Sequence, residues 1–227
     1  MRLEEWKSNF NKVYVCKIFP STWTQFSVQG EWKGNTAGGS FPFLDETKKD
    51  EENKGENLAA LLDTNDRWFN NPQFRLSVTK KTNVIISLMQ EDFNISKRPI
   101  IPVNFLVVRV KSRRDRLWEV EKDDVVLEAA RGGSSVEQRE LTRSVWLSPI
   151  HDKKPVHYII VPNTELEGKG KEEERNFFLR VFSSEHIDLV QLPNTIETQF
   201  NSKWSPQTAG GQLYIAGKFN QQWCKNP

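Results

Sequence analysis

Short runs of β-branched and aromatic residues fill the chain after residue 72 and predict an all-β fold. Turn residues separate these runs, and no helix-like pattern of ten or more residues interrupts them. Many short strands at this spacing are typical of an antiparallel β-sandwich, with a closed barrel as the alternative. The predicted strands are Gln73–Thr79, Val84–Gln90, Val103–Val110, Leu117–Val120, Asp124–Glu128, Arg139–Leu147, His157–Val161, Asn176–Phe182 and Ile187–Leu192.

The first 72 residues follow other patterns. Apolar residues at i, i+3 and i+7 from Leu3 predict a short amphipathic helix over residues 2–11. Two runs of β-forming residues predict strands at Val13–Phe19 and Trp23–Trp32. Residues 45–57 are almost all charged or polar and cannot build a core, so they predict an exposed loop.

The chain also contains a long internal repeat. A segment around Trp32 resembles a segment around Trp204, at an offset of 172. Asn71-Pro72 matches Asn226-Pro227 at an offset of 155, and a polar insertion around residues 45–61 in the first copy accounts for the difference. Solenoid repeats have periods of about 20–50 residues, so a repeat of this length predicts two tandem domains.

The chemistry of the repeated residues predicts that they build the fold, with a direct role in ligand binding as the alternative. A Trp with two glycines six and seven residues later suits a bulky anchor under a close-packed turn. An Asn-Pro pair before a strand fixes how the chain enters that strand. The residues assigned to this structural motif are Trp32, Ala37, Gly38, Gly39, Asn71, Pro72, Trp204, Gly210 and Gly211.

Charge and composition narrow the classes of function. Lys and Arg total 32 and Asp and Glu total 30, so the net charge of +2 does not favour a nucleic-acid binder. The longest apolar run, Leu58–Leu62, is far shorter than the roughly 20 residues of a transmembrane helix. Glu4 and Glu5 stand where a signal peptide would begin its apolar run, so we expect an intracellular, cytoplasmic protein.

The cysteine and histidine inventory is small. Cys16 and Cys224 are too few for a disulfide scaffold, and with three histidines they do not supply a zinc cluster. Cys16 lies in an apolar strand pattern, so we expect a packed and inert side chain. His157 falls in a predicted strand and is expected to be structural, while His151 and His186 are expected in loops.

Several motifs, in order along the chain, resemble the β-sandwich of calpains, their C2-like domain III. The resemblance covers residues 20–190. The segments that carry it are Trp32–Gly39, Asn71–Phe74, Ser87–Gln90, Arg139–Leu141, Tyr158–Thr164 and Asn176–Ser184.

The flanking segments extend this resemblance. Residues 1–19 are similar to the last helix and strand of a calpain protease domain. The repeat starting near Leu192 is similar to the tandem sandwiches of the calpain-seven and fungal PalB type, with the calpain-ten type second. The resemblance thus implies a protease-domain tail at 1–19, a complete sandwich at 20–190 and the start of a second sandwich at 191–227. We therefore expect a longer parent polypeptide.

This resemblance implies a regulatory or scaffolding segment of a calpain-like intracellular cysteine endopeptidase. The calpain reaction needs a Cys activated by His, with an Asn that orients the imidazole. Those residues would lie outside this chain, so we expect no peptidase activity from it alone. The implied partners in cis are the protease domain and the second C2-like domain. The alternative function is a non-enzymatic C2-like module that binds lipid or protein.

Two charged clusters are candidate binding sites, each with a solvent-exposed turn as the alternative. A basic turn would attract an acidic phospholipid surface or an acidic partner protein, and its candidates are Lys111, Arg113, Arg114 and Arg116. An acidic cluster would offer oxygens to calcium, and its candidates are Glu121, Asp123 and Asp124. We expect no other cofactor.

Overall fold

The computed structural model describes residues 4, 7, 9, 18–41, 67–110, 116–130, 138–149, 155–164, 174–196, 201–203 and 205, and the backbone of 214, 215, 218 and 219. The chain divides into two compact units, Met1–Thr195 and Ile196–Pro227. In the second unit, β10 (Tyr214–Ile215) pairs with β11 (Lys218–Phe219) in antiparallel orientation.

The first unit is built on two antiparallel sheets, which confirms the predicted β-sandwich. Sheet A has the strand order β1-β8-β3-β6, and sheet B has the order β5-β4-β7-β2-β9. The strands are β1 (Thr24–Trp32), β2 (Phe74–Val78), β3 (Thr82–Gln90), β4 (Val103–Val110), β5 (Val125–Glu128), β6 (Glu140–Leu147), β7 (Val156–Thr164), β8 (Arg175–Ser183) and β9 (Asp188–Gln191). A short helix, α1 (Phe93–Ser96), follows β3, and 3-10 turns lie at Gly34–Thr36, Trp68–Asn70 and Lys122–Asp124.

One predicted strand is wrong. Residues 117–120 have no strand conformation and lead into the 3-10 turn Lys122–Asp124. Leu117 is buried, but its peptide groups bond to a side chain rather than to a neighbouring strand. The N–H of Leu117 donates to Gln73 Oε1 at 2.8 Å, and Gln73 Nε2 donates to the carbonyl of Leu117 at 2.9 Å. The side chain of Gln73 thus supplies the hydrogen bonds to Leu117 that a neighbouring strand would supply in the predicted sheet.

The N-terminal predictions are only partly covered by the structure. Glu4, Lys7 and Asn9 have helical backbone, as the predicted helix over 2–11 requires. Residues 13–17 of the predicted strand Val13–Phe19 and the polar run 45–57 lie outside the described residues.

The main core lies between the two sheets and is lined by alternate residues of the central strands. Gly30 leaves room for the ring of Phe177, since a Cβ at position 30 would lie 2.2 Å from Phe177 Cζ. Trp32 is 2% exposed, and its ring centroid lies 4.4 Å from that of Phe177. The strand residues of this core include Phe74, Leu76, Val84, Ile86, Leu88, Val103, Phe105, Val107, Tyr158, Ile160, Leu179 and Val181.

Two hydrogen bonds cross the core from one sheet to the other. Trp32 Nε1, at the end of β1, donates to the carbonyl of Pro162 in β7 at 3.3 Å. The Tyr158 hydroxyl in β7 donates to the carbonyl of Ser148, directly after β6, at 2.8 Å. Burial raises the pKa of Tyr158, so this hydroxyl keeps its proton at neutral pH. Both bonds satisfy polar atoms of aromatic residues that are otherwise packed in the core.

A second, smaller core lies on the outer face of sheet B. The side chains of β4 and β7 that point away from the main core are Leu106, Val108, Val110, Ile159 and Val161, and all are buried. Trp68, Leu117 and Leu192 cover them, and each comes from a segment outside the strands. Because β4 and β7 are buried on both faces, their sequences read as nearly continuous apolar runs.

The second core predicts a stability effect on the outside of the sandwich. We expect Ile159→Ala, at a side chain that is 0% exposed, to lower the free energy of unfolding by roughly 2–5 kcal/mol. Ile100→Ala, at a side chain that is 36% exposed, is the matched control and is expected to cost much less. Urea denaturation of both variants measures the difference. Equal losses would contradict a packed outer face on sheet B.

Candidate functional site

The segments that cover sheet B meet in a cluster of polar side chains, which we call the polar hub. Its members are Asn35, Arg67, Asn71, Gln73 and Arg116. The covering segments lack a strand ladder, so their buried peptide groups need other hydrogen-bond partners. The hub side chains supply those partners.

Asn71 joins the Gly38-Gly39 turn to the Trp68 turn. It is fully buried, and its Oδ1 accepts from the N–H of Gly38 at 3.2 Å. Its Nδ2 donates to the carbonyls of Gly39 and Trp68, both at 2.8 Å. A Cβ on Gly38 would lie 2.5 Å from the carbonyl oxygen of Arg67, and Gly39 has φ of 78°, a left-handed conformation. The two glycines and the asparagine therefore form one structural unit.

Arg116 holds three carbonyl groups from two distant segments. Its Nη1 donates to the carbonyl of Pro193 at 2.7 Å. Its Nη2 donates to the carbonyls of Phe69 at 2.5 Å and Asn71 at 2.6 Å. The side chain is 6% exposed, and burial lowers the pKa of Arg116 to about 10. The guanidinium therefore stays protonated at neutral pH and keeps all its N–H donors.

Gln73 and Asn35 complete the hub on either side. Besides its two bonds with Leu117, Gln73 Nε2 donates to the carbonyl of Phe69 at 3.1 Å. Asn35 Nδ2 donates to both the carbonyl and Oγ1 of Thr195, at 3.3 and 3.2 Å. Arg67 Nη2 donates to Asn35 Oδ1 at 3.2 Å. Segments far apart in sequence thus meet through side-chain amides and guanidinium groups.

Of the predicted basic cluster, Arg116 alone lies in the described part of the chain. Lys111, Arg113 and Arg114 lie outside the described residues. Arg116 is buried in the polar hub, so it does not present its charge to a lipid or a partner. The four cations are close together in the sequence, but in the fold the side chain of Arg116 is buried, where it donates hydrogen bonds to three carbonyl groups.

The predicted acidic cluster lies around the 3-10 turn Lys122–Asp124, and calcium binding there stays a prediction. Asp124 Oδ1 lies 3.6 Å from Arg109 Nη2, so one carboxylate is already paired with a cation. Within the part of the chain that the structure describes, no group of three His, Cys, Asp or Glu side chains is arranged to hold a metal ion. Glu121 and Asp124 do share a small cleft of about 70 Å³ with Arg109, whereas Asp123 does not line it.

The histidines are placed as surface and cross-strand residues. His157 Nδ1 in β7 lies 2.8 Å from Ser77 Oγ in the neighbouring strand β2. His186 Nε2 lies 3.7 Å from Asp188 Oδ1, and both side chains are exposed. Other predicted residues lie outside the described part of the chain: Cys16, Cys224, His151, Trp204, Gly210 and Gly211.

An aromatic row that the sequence analysis did not single out leads from the hub to the surface. The ring centroids of Phe41 and Trp68 are 4.8 Å apart, and those of Trp68 and Phe69 are 6.2 Å apart. Phe69 is followed by Trp118 at 5.1 Å, and Trp118 is 56% exposed. In the sequence, this aromatic row is indicated by Trp118, which lies just after the basic turn that ends at Arg116.

The family model for "Calpain large subunit, domain III" matches residues 54–182. This match covers more than half of the chain. The chain belongs to the calpain domain III family. The resemblance seen in the sequence motifs is therefore confirmed, and the sandwich of the first unit is a calpain domain III.

Relatives among characterised proteins agree with this assignment. The chain is 26% identical over 202 residues to "Calpain-type cysteine protease DEK1" of Zea mays, covering 83% of this chain and 8% of that protein. It is 26% identical over 203 residues to "Calpain-9" of Homo sapiens, covering 81% of this chain and 24% of that protein. The chain thus spans less than a third of the length of either relative. Among solved structures, a chain of the "Crystal Structure of Israel acute Paralysis Virus" has 11% identity and a TM-score of 0.31, with 82% of this chain and 83% of that chain covered.

Among the described residues of this domain III chain, no helix combines the length and apolar character that crossing a membrane requires.

The central role of Asn71 can be tested by its removal. We expect Asn71→Ala to lower the free energy of unfolding by roughly 2–4 kcal/mol, because the buried N–H of Gly38 and the carbonyls of Gly39 and Trp68 lose their hydrogen bonds to the Asn71 side chain. Asn176→Ala is the matched control, since its side chain makes one part-buried bond to Glu91. Thermal unfolding followed by circular dichroism measures both. A loss for Asn71→Ala no larger than for the control would contradict a structural hub.

Proposed function

We propose that this chain is a regulatory or scaffolding segment of a calpain-like intracellular cysteine endopeptidase. The observation that carries the proposal is the domain III match over residues 54–182. Relatives that share the region include a protein named as a calpain-type cysteine protease. In this proposal the catalytic Cys, His and Asn belong to a protease domain outside these 227 residues.

The proposed arrangement has three parts. Residues 1–19 are the tail of the protease domain, residues 20–190 are the domain III sandwich, and residues 191–227 begin a second C2-like sandwich. The two cores and the polar hub support a scaffolding role, because a sandwich with buried, hydrogen-bonded covering segments is a stiff platform for neighbouring domains. The alternative is a C2-like binding module in a protein without an active protease domain.

A proteolysis assay separates these proposals. The coding sequence on both sides of residues 1–227 is read, and the longer protein is produced beside the 227-residue chain. We expect casein hydrolysis by the longer protein, its loss when the upstream Cys is replaced by Ala, and no hydrolysis by the 227-residue chain. Hydrolysis by the 227-residue chain itself would overturn the proposal. A longer protein without a Cys, His and Asn set would favour the binding module.

The same end of the sandwich supports a second proposal, which is binding to an anionic phospholipid surface. Lys111, Arg113 and Arg114 precede Trp118 by a few residues, and Trp118 is 56% exposed beside Phe69. Cations attract anionic headgroups, and an exposed indole is favoured at the level of the headgroups. Arg116 is left out of this candidate surface because it is buried in the hub.

Vesicle pelleting tests this surface. Each cation near an anionic membrane contributes about 1 kcal/mol, so Arg113→Glu with Arg114→Glu is expected to weaken binding to phosphatidylserine vesicles by more than about tenfold. Trp118→Ala is also expected to weaken it. Trp146→Ala is the matched control, since Trp146 is 63% exposed on sheet A. Equal binding by wild type and all variants, with or without calcium, would exclude lipid recognition at this surface. Binding of an acidic peptide, but not of vesicles, by the wild type and its loss in the charge variants would point to a protein partner.

A further inference from the structure

The last residues of the first unit are held to the sandwich without a strand of their own. Strand β9 ends at Gln191. The N–H of Leu192 then donates to the carbonyl of Gln73 at 2.8 Å, and the Leu192 side chain is 3% exposed. Leu192 packs in the second core with Trp68 and Leu117. The buried side chain of Leu192 therefore holds the chain against sheet B directly after β9.

Side chains of the hub hold the residues that follow. Arg116 binds the carbonyl of Pro193, and Asn35 binds the carbonyl and hydroxyl of Thr195. Thr195 is the last residue of the first unit, and Ile196 is already 92% exposed. Residues 192–195, which we call the strap, thus lie across the hub up to the boundary between the units.

The carboxamide of Asn35 connects the strap to a second segment. The Nδ2 of Asn35 donates to Thr195, and its Oδ1 accepts from Arg67. Turning the amide by 180° would place an NH₂ group against the guanidinium of Arg67 and an oxygen against the carbonyl of Thr195. Arg67 therefore selects the orientation in which Asn35 can hold the strap.

The strap follows an exposed edge strand of the sandwich. Strand β9 has four residues, lies at the edge of sheet B and, among the described strands, pairs with β2 alone. Its side chains are exposed or half-buried, with Val190 46% exposed. Short, exposed edge elements open at a lower free energy cost than central strands. The strap can therefore detach while the central strands stay folded.

We propose that residues 192–195 are a releasable strap. The side chain of Asn35 is the latch that holds Thr195, and Arg67 keeps the Asn35 amide in the orientation that this contact requires. A shift in the position of Arg67 then alters the hold on Thr195, the last residue of the first unit. The inference rests on the hub geometry and is independent of the proposed protease.

Hydrogen–deuterium exchange of the whole 227-residue chain tests the latch. Both chains that are compared carry Thr195→Val, because the Thr195 hydroxyl would otherwise donate to a carboxylate at position 35; in this background Asn35→Asp keeps the acceptor for Arg67 but removes the donor to the carbonyl of residue 195. We expect exchange in peptides covering residues 188–196 to rise about fivefold, the factor for one lost hydrogen bond, with no change in β3. Asn83→Asp is the matched control, since its side chain accepts from Ser144 on sheet A. Unchanged exchange at 188–196 in Asn35→Asp, or an equal rise in β3, would overturn the proposal.

The coupling to Arg67 is tested by a double-mutant cycle. Arg67→Met alone is expected to raise exchange at residues 188–196, because it frees the Asn35 amide to turn. In a chain that already carries Asn35→Ala, the same change is expected to add nothing there. Independent, additive effects of the two substitutions would contradict the role of Arg67 in setting the latch.

Discussion

The structure depends on one constraint, which is the apolar outer face of sheet B. Strands β4 and β7 carry apolar residues on both sides, so this face must be covered as the main core is. The cover comes from segments without strand partners, and their buried peptide groups still require hydrogen bonds. Asn71, Gln73 and Arg116 supply these bonds to the covering segments. Removing one of them leaves buried polar groups unpaired, which costs more than the bond itself contributes.

This constraint explains why a cation is buried without a carboxylate in its hydrogen-bond set. The guanidinium of Arg116 presents several donors in a fixed plane, and three carbonyls from residues 69, 71 and 193 accept from them. Burial lowers the pKa of Arg116 to about 10, which reflects the unfavourable desolvation of its charge. The hydrogen bonds to carbonyl oxygens offset this cost. The same region also fixes where the chain leaves the sandwich.

The proposed regulatory role follows from the segments that the polar hub connects. In this calpain domain III, the two cores make the sandwich a stiff body. The hub gathers the Gly38-Gly39 turn, the segment from Arg67, the segment after β4 and the strap. A regulatory segment needs rigid parts and a few contacts that can open separately. The strap and the edge strand β9 have the properties of such contacts.

The sequence by itself determined most of the described strands, the sandwich, the family and the importance of the Trp32, Gly38-Gly39 and Asn71-Pro72 motif, because alternation of apolar residues and turn chemistry are local signals. It did not reveal that the peptide groups of Leu117 bond to the side chain of Gln73, or that the side chain of Arg116 is buried although nearby residues in the sequence carry the same charge. Only the tertiary structure decided these points. Gln73 lies 44 residues from Leu117, and Arg116 lies 77 residues from Pro193, so the partners meet only when the covering segments pack on sheet B. A local pattern shows which side chains avoid water, but not which distant carbonyls a buried donor will reach.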